Sequence, residues 1–183
     1  MPIIVLDPVQ QPLAADEGAG LSPAPRLDTL NGKTLGLWNN DKLNAARLLE
    51  FIGAELAKHY SFKVVRGVYD PGNLMPEDGW GDIDQCDAVI LANGDCGACS
   101  TSGIVNAIEL EKRGIPTMLV ATPPFTEAVK TSASLRGMSA IRWAVVDHPV
   151  ASLSEEKVRQ RAIVAASQFP ELILSSSAQR SAA

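Results

Sequence analysis

The stretch from Asp87 to Val120, DAVILANGDCGACSTSGIVNAIELEKRGIPTMLV, limits what this chain can fold into more than any other. Asp87 to Ala92 is a short apolar run, and Asn93-Gly94-Asp95 breaks it. A helical pattern then begins close after Cys96-Gly97-Ala98-Cys99 and stops at Gly114 and Pro116. A second apolar run, Thr117 to Ala121, follows. Strand, tight turn, helix and strand in this order make a β-α-β unit. Such a unit implies parallel strands covered on both faces, with ligands bound where the strand's carboxyl end meets the helix's amino end.

Two cysteines stand at that meeting point. A thiol near a helix N-terminus faces unpaired N–H groups and the positive end of the helix dipole, which favour thiolate. Cys96 is therefore read as a nucleophile. Cys99 lies about one helical turn on, placed to attack a mixed disulfide or sulfenic acid on Cys96 and release it. Asp95 is a candidate proton acceptor or cap, although its charge beside Cys96 opposes a thiolate. Cys86 precedes the strand and lies up to about 30 Å from Cys96 at the opposite sheet edge, so it is read as structural.

The flanking sequence repeats the alternation. Strands are expected near 34–38, 62–68, 87–92, 117–121 and 141–146, and the helix over 42–59 carries Leu49, Ile52 and Leu56 at helical spacing. Thr126 can cap a helix to about Arg136, and Ser154, followed by Glu155-Glu156, can cap the last one, expected to end near Gln168. The expectation is a three-layer α/β fold: a mostly parallel five-stranded sheet in the flavodoxin-like doubly wound order 2-1-3-4-5, its switch point between the first and third strands. The Gly/Pro/Asp-rich connection 69–86 is long enough to be functional or to hold a helical turn. Residues 1–29 read as a β-like run at Ile3 to Leu6 followed by an extended arm, 30–170 as the single α/β domain, and 171–183 as a frayed tail.

Composition excludes some functions. A net charge of −5, with no basic stripe carrying interleaved aromatics, argues against a nucleic-acid partner. No run approaches a membrane span and the start lacks a signal-peptide pattern, so a cytoplasmic protein is expected. Neither G-x-G-x-x-G nor G-x-x-x-x-G-K-[ST] is present, and no nucleotide or other cofactor is expected. Cys96, Cys99, His148 and Asp95 could make a tetrahedral metal set, but no second C-x-x-C supports it, and no metal is expected.

In the expected topology the polar groups gather on one sheet edge. His148 is placed as a general acid/base, as a group that orients the thiolate, or as a histidine bonded to loop backbone. Lys42, with Asn39, Asn40 and Asn44, holds a substrate carboxylate, lowers the thiol pKa, or leaves an asparagine capping the helix and Lys42 solvated. Thr122 and Phe125 reach the same rim and complete the expected substrate-binding set.

These residues resemble a known family. Asn40, Lys42 and Asn44, then Gly94-Asp95-Cys96-Gly97-Ala98-Cys99, then Glu109 to Thr117, then Thr122-Pro123-Pro124-Phe125 follow the pattern of the UGSC proteins over roughly residues 30–165. U there is selenocysteine; this chain has Cys96 in its place and Ala98 where the pattern has serine. More distantly, the central unit is similar to the selenocysteine turn of glycine and proline reductase B subunits. That similarity implies a thiol-dependent reductase with Cys96 as nucleophile and Cys99 as resolving thiol, acting on a small organic substrate with electrons from an external dithiol or reductase. Two alternatives stand beside it: a non-redox cysteine- or metal-dependent hydrolase or lyase, and a non-catalytic subunit of a heteromeric enzyme docked through the N-terminal arm, the segment through which a homo- or hetero-oligomer is expected to form.

Overall fold

The computed structural model describes residues 20–176. The chain forms β1 (Thr34–Asn39), α1 (Ala45–Leu56), β2 (Lys63–Val68), β3 (Ala88–Gly94), α2 (Gly97–Lys112), β4 (Thr117–Ala121), α3 (Thr126–Leu135), β5 (Ala144–Val145) and α4 (Glu155–Ile173). The strands form one sheet in the order β2-β1-β3-β4-β5, and every pairing is parallel. This is the doubly wound, flavodoxin-like order, with its switch between β1 and β3.

Alternation along each strand divides the apolar side chains between two cores. Leu35, Leu37, Ile90 and Val120 pack with α1 and α4, whereas Val89, Leu91, Leu119 and Ala121 pack with α2 and α3. Every residue of β3 is buried, as a central strand covered on both faces requires. Two glycines are dictated by close approach. A Cβ on Gly67 would fall 2.2 Å from the Trp38 indole, and one on Gly94 would fall 3.0 Å from both Ala121 Cβ and Ser100 Oγ.

Several boundaries differ from the sequence pattern for local reasons. α1 starts at Ala45 rather than Lys42, because Asp41 and Asn44 hold positive φ angles of 54° and 63° that no helix contains. β5 is reduced to two residues, and the Gln168 amide takes both the N–H and the C=O of Val145, ending ladder growth at that edge. α4 continues past Gln168 and through Pro170 to Ile173, since Phe169, Leu172 and Ile173 prolong its buried stripe. Ser154 occupies the N-cap position of α4 without a side-chain bond, and Thr126 is the first residue of α3 rather than its cap. The 69–86 connection does hold a helical turn, a 3₁₀ segment over Glu77–Gln85 with non-helical angles at Gly81 and Asp82.

Residues from 20 onward are fastened to the base of the sheet. The buried Glu111 carboxylate accepts from Ala24 N at 2.6 Å, Thr117 N at 2.7 Å and Arg26 Nη2 at 2.6 Å, while Leu27 bridges to Leu174. The β-like run at Ile3 to Leu6, and most of the arm and of the Ser/Ala-rich end, lie outside the described residues.

Candidate functional site

Cys96 is the N-cap of α2, with extended backbone (φ −151°, ψ 165°), and its sulfur accepts the Cys99 N–H at 3.1 Å. That is the bond an N-cap side chain makes with the third helical amide, here directed at sulfur. The two cysteines are joined as a disulfide with Cα atoms 5.2 Å apart. Cys96 is half-buried, whereas Cys99 is only 4% exposed. The helix dipole and the aimed amide both favour negative charge on Cys96, the sulfur a second molecule can reach.

Asp95 turns away from its cysteine neighbour. Oδ2 accepts the Val150 and Ala151 amides at 2.9 Å each, and Oδ1 lies 2.9 Å from His148 Nδ1. The carboxylate thus ties the β3–α2 turn to the loop after β5 and orients the imidazole. With Nδ1–H donated to Asp95, His148 keeps Nε2 for proton exchange. Thr122 Oγ1 donates to Gly94 O at 3.2 Å and lies 3.3 Å from His148 Nδ1, and Phe125 meets the imidazole edge-on at 5.8 Å. Asp95, Thr122, Phe125 and His148 therefore form one contiguous group at the same sheet edge as the cysteine pair, which Asp95 directly precedes in sequence.

The asparagines on the other side of the switch point serve mainly as internal ties. Asn40 is fully buried, donating to Asn93 O at 2.9 Å and accepting from Asn93 N at 3.2 Å. Asn39 bonds Gly67 O and the Asp41 amide. Asn44 donates to Val150 O, Ala151 O and Leu153 O, at 3.0, 3.1 and 3.0 Å, clamping the loop that Asp95 also holds. Lys42 is exposed and lies toward Asp70. Bonds from the Asn73 side chain and the Gly72 amide hold the Asp70 carboxyl below its usual range, with Lys42 a lesser influence. At the turn itself, Asn93 Nδ2 and Ser100 Oγ are buried with no hydrogen-bond partner among the described residues.

Cys86 sits before β3, at the far end of that strand, buried at 7% exposure and with its sulfur 3.9 Å from Asp82 O. Burial, reinforced by Asp87, Asp82 and Asp84, pushes its thiol up to about 11. No group of three or more His, Cys, Asp or Glu among the described residues is disposed to hold a metal ion.

Sequence reasoning missed the elements that enclose the site. α2 reads as amphipathic, but Ser102 and Asn106 are buried on it and pin the preceding loop: Ser102 Oγ donates to Pro71 O at 2.6 Å, and Asn106 bonds Met75 N and Asn73 O at 2.8 and 3.0 Å. Polar residues on a helix gave no signal that a loop covers them. Arg136, at the end of α3, lines a cleft with Gly97 and Ala98, and nothing in its local sequence marks it.

The model of the UGSC family matches residues 4–175. The chain belongs to the UGSC family. The cysteine pair, the Asp95 clamp and the helix that follows all fall within the matched span of this UGSC chain. A comparison with curated proteins returns no match. Among solved structures the chain is similar to the flavodoxin-like domain of a Synechococcus sp. protein, at 12% identity and a TM-score of 0.34, over 75% of this chain and 98% of that one. No helix among the described residues is long and apolar enough to cross a membrane.

Proposed function

We propose that this UGSC protein is a cysteine-dependent enzyme in which Cys96 attacks a small organic substrate and Cys99 resolves the adduct. The observation that carries the reading is the asymmetry of the pair at the start of α2: Cys96 is only half-buried and receives an amide, while Cys99 is buried within bonding reach. The Cys96 thiolate bonds to an electrophilic atom of the substrate and a leaving group departs with the bonding electrons. Cys99 thiolate then attacks Cys96 sulfur, the disulfide forms, and the reduced fragment leaves with an electron pair and takes up a proton. An external dithiol restores both thiols and supplies the two electrons. His148 Nε2, oriented through Asp95, serves the proton transfers, and Thr122 and Phe125 hold the imidazole in place. Lys42 contributes positive charge at the rim, and Asn39, Asn40 and Asn44 shape the loop that carries it.

The test is alkylation of the fully reduced protein across pH, with each cysteine scored by peptide mass spectrometry. Cys96 is expected to label well below the pH range of a free thiol, near 8.5, and faster than Cys99 and Cys86. Cys99→Ser should accumulate a stable covalent Cys96–substrate adduct that the unaltered protein clears. Labelling of Cys96 at the rate of the urea-denatured chain would rule the nucleophile out. Sustained turnover by Cys99→Ser would move the reaction to the non-redox hydrolase class.

A further inference from the structure

A cleft of about 320 Å³ runs beside the cysteine pair. Its floor is one stripe of α2, Gly97, Ala98, Thr101 and Val105, at the spacing that puts side chains on a single helix face. From Gly97 to Val105 this floor covers about 12 Å of helix. Leu74 forms part of one wall, in the loop that Ser102 and Asn106 fix to α2, so that wall is held in place before anything binds. Arg136 also lines the cleft. The turn after α3 fixes its backbone: Gly137 has φ 78° and Met138 N bonds Ala133 O at 3.0 Å.

Charge tells what the cleft takes. None of its lining residues is acidic. Arg136 has no ion pair and no side-chain hydrogen bond among the described residues, whereas every other described arginine has one: Arg26, Arg47, Arg66, Arg142, Arg159 and Arg161 with carboxylates, and Arg113 with Glu77 O. In a chain of net charge −5, a guanidinium left without a carboxylate along an open cleft is a local exception. The volume lies at the small end of the range for ligand sites, roughly 300–1,000 Å³.

We propose that this cleft binds the aliphatic tail and terminal carboxylate of an elongated organic anion, with Arg136 on the carboxylate and the reacting end at Cys96. The inference rests on Cys96 being the nucleophile. It narrows the substrate from any small organic molecule to an anion whose charge lies a helix turn or more from the reacting atom. Apolar contact with Leu74 and Val105 suits a methylene chain, and the small Gly97 and Ala98 leave the approach to sulfur open.

Two experiments separate this inference from the reading beneath it. In the first, the disulfide form is titrated with caproate and with caproamide while backbone amides are followed by NMR. Saturable shifts at Gly97, Ala98 and Thr101 are expected with caproate, absent with caproamide, lost in Arg136→Gln and partly kept in Arg136→Lys. No saturable shift with caproate, or equal shifts in Arg136→Gln, overturns the proposal. In the second, the reduced protein is alkylated with N-iodoacetyl-ε-aminocaproate, with its methyl ester, and with N-iodoacetylglycine. The long carboxylate should modify Cys96 about fivefold faster than its ester, the size of one well-placed exposed ion pair. Arg136→Gln should erase that ratio without slowing the ester, and the short carboxylate should gain less. Equal rates for long acid and ester in the unaltered protein overturn the coupling of the cleft to Cys96. Caproate binding with a Cys96 no faster than a denatured thiol keeps the carboxylate site and refutes the nucleophile.

Discussion

Replacing Asp95 by asparagine tests how the site is built. The carboxylate is only 7% exposed and makes three bonds: two from the Val150 and Ala151 amides to Oδ2, and one to His148 Nδ1 through Oδ1. An asparagine oxygen in the Oδ2 place can still accept both amides. Its NH₂ then faces His148 Nδ1, which must become the acceptor, so the ring proton moves to Nε2. Each charge-assisted bond reduced to a neutral one loses about 1 kcal/mol. Asp95→Asn should therefore cost about 2–3 kcal/mol, or roughly 5–10 °C in Tm for a chain of this size. Asp95→Ala strands two buried amides and should cost about 4 kcal/mol. Urea unfolding gives the stabilities, and ¹⁵N spectra of the imidazole give the tautomer: protonated Nδ1 in the unaltered protein, protonated Nε2 in Asp95→Asn. If Asp95→Ala costs less than about 1 kcal/mol, or His148 keeps its tautomer in Asp95→Asn, the carboxylate neither clamps the loop nor orients the ring.

Glu111→Ala removes the buried acceptor shared by Ala24 N, Thr117 N and Arg26, and should destabilise by about 3–5 kcal/mol in urea unfolding. Arg26→Ala, which leaves that carboxylate with two amide donors, should cost less; equal stability of Glu111→Ala and the unaltered protein would refute the clamp. Cys86, whose thiol is pushed up to about 11, stays protonated in the fold at pH values where the unfolded chain ionises. Its contribution is complete below pH 9 and falls by about 2–3 kcal/mol as pH rises to 11. The stability difference between the unaltered protein and Cys86→Ala should shrink by that amount across the interval, and parallel pH profiles would contradict it. Gly67→Ala should be strongly destabilising, because its Cβ would overlap the Trp38 ring; circular dichroism melting that matches the unaltered protein would refute that packing.

What the sequence shows and hides follows from the range over which each feature is determined. The sheet order was legible because the alternation of apolar runs with helical patterns is local, and parallel strands with short connections leave few topologies. The placing of the cysteine pair at the start of α2 was legible for the same reason, since spacing along one helical turn is enough to specify it. Where α1 begins was not, because Asn44 is held in a left-handed conformation while its amide bonds three carbonyls more than a hundred residues away. Asp95 was visible beside Cys96 as a proton acceptor or a cap, but its bonds to His148, Val150 and Ala151 were not, because those partners lie 53 to 56 residues on. Asn44 and Asp95, from opposite sides of the switch point, grip the same segment, the first by its carbonyls and the second by its amides. The loop after β5 is therefore the piece on which both halves of the rim depend. A change at Val150 or Ala151 that alters the backbone there should disturb nearby His148 and the start of α1 together, though Asn44 lies 106 and 107 residues away from them in sequence.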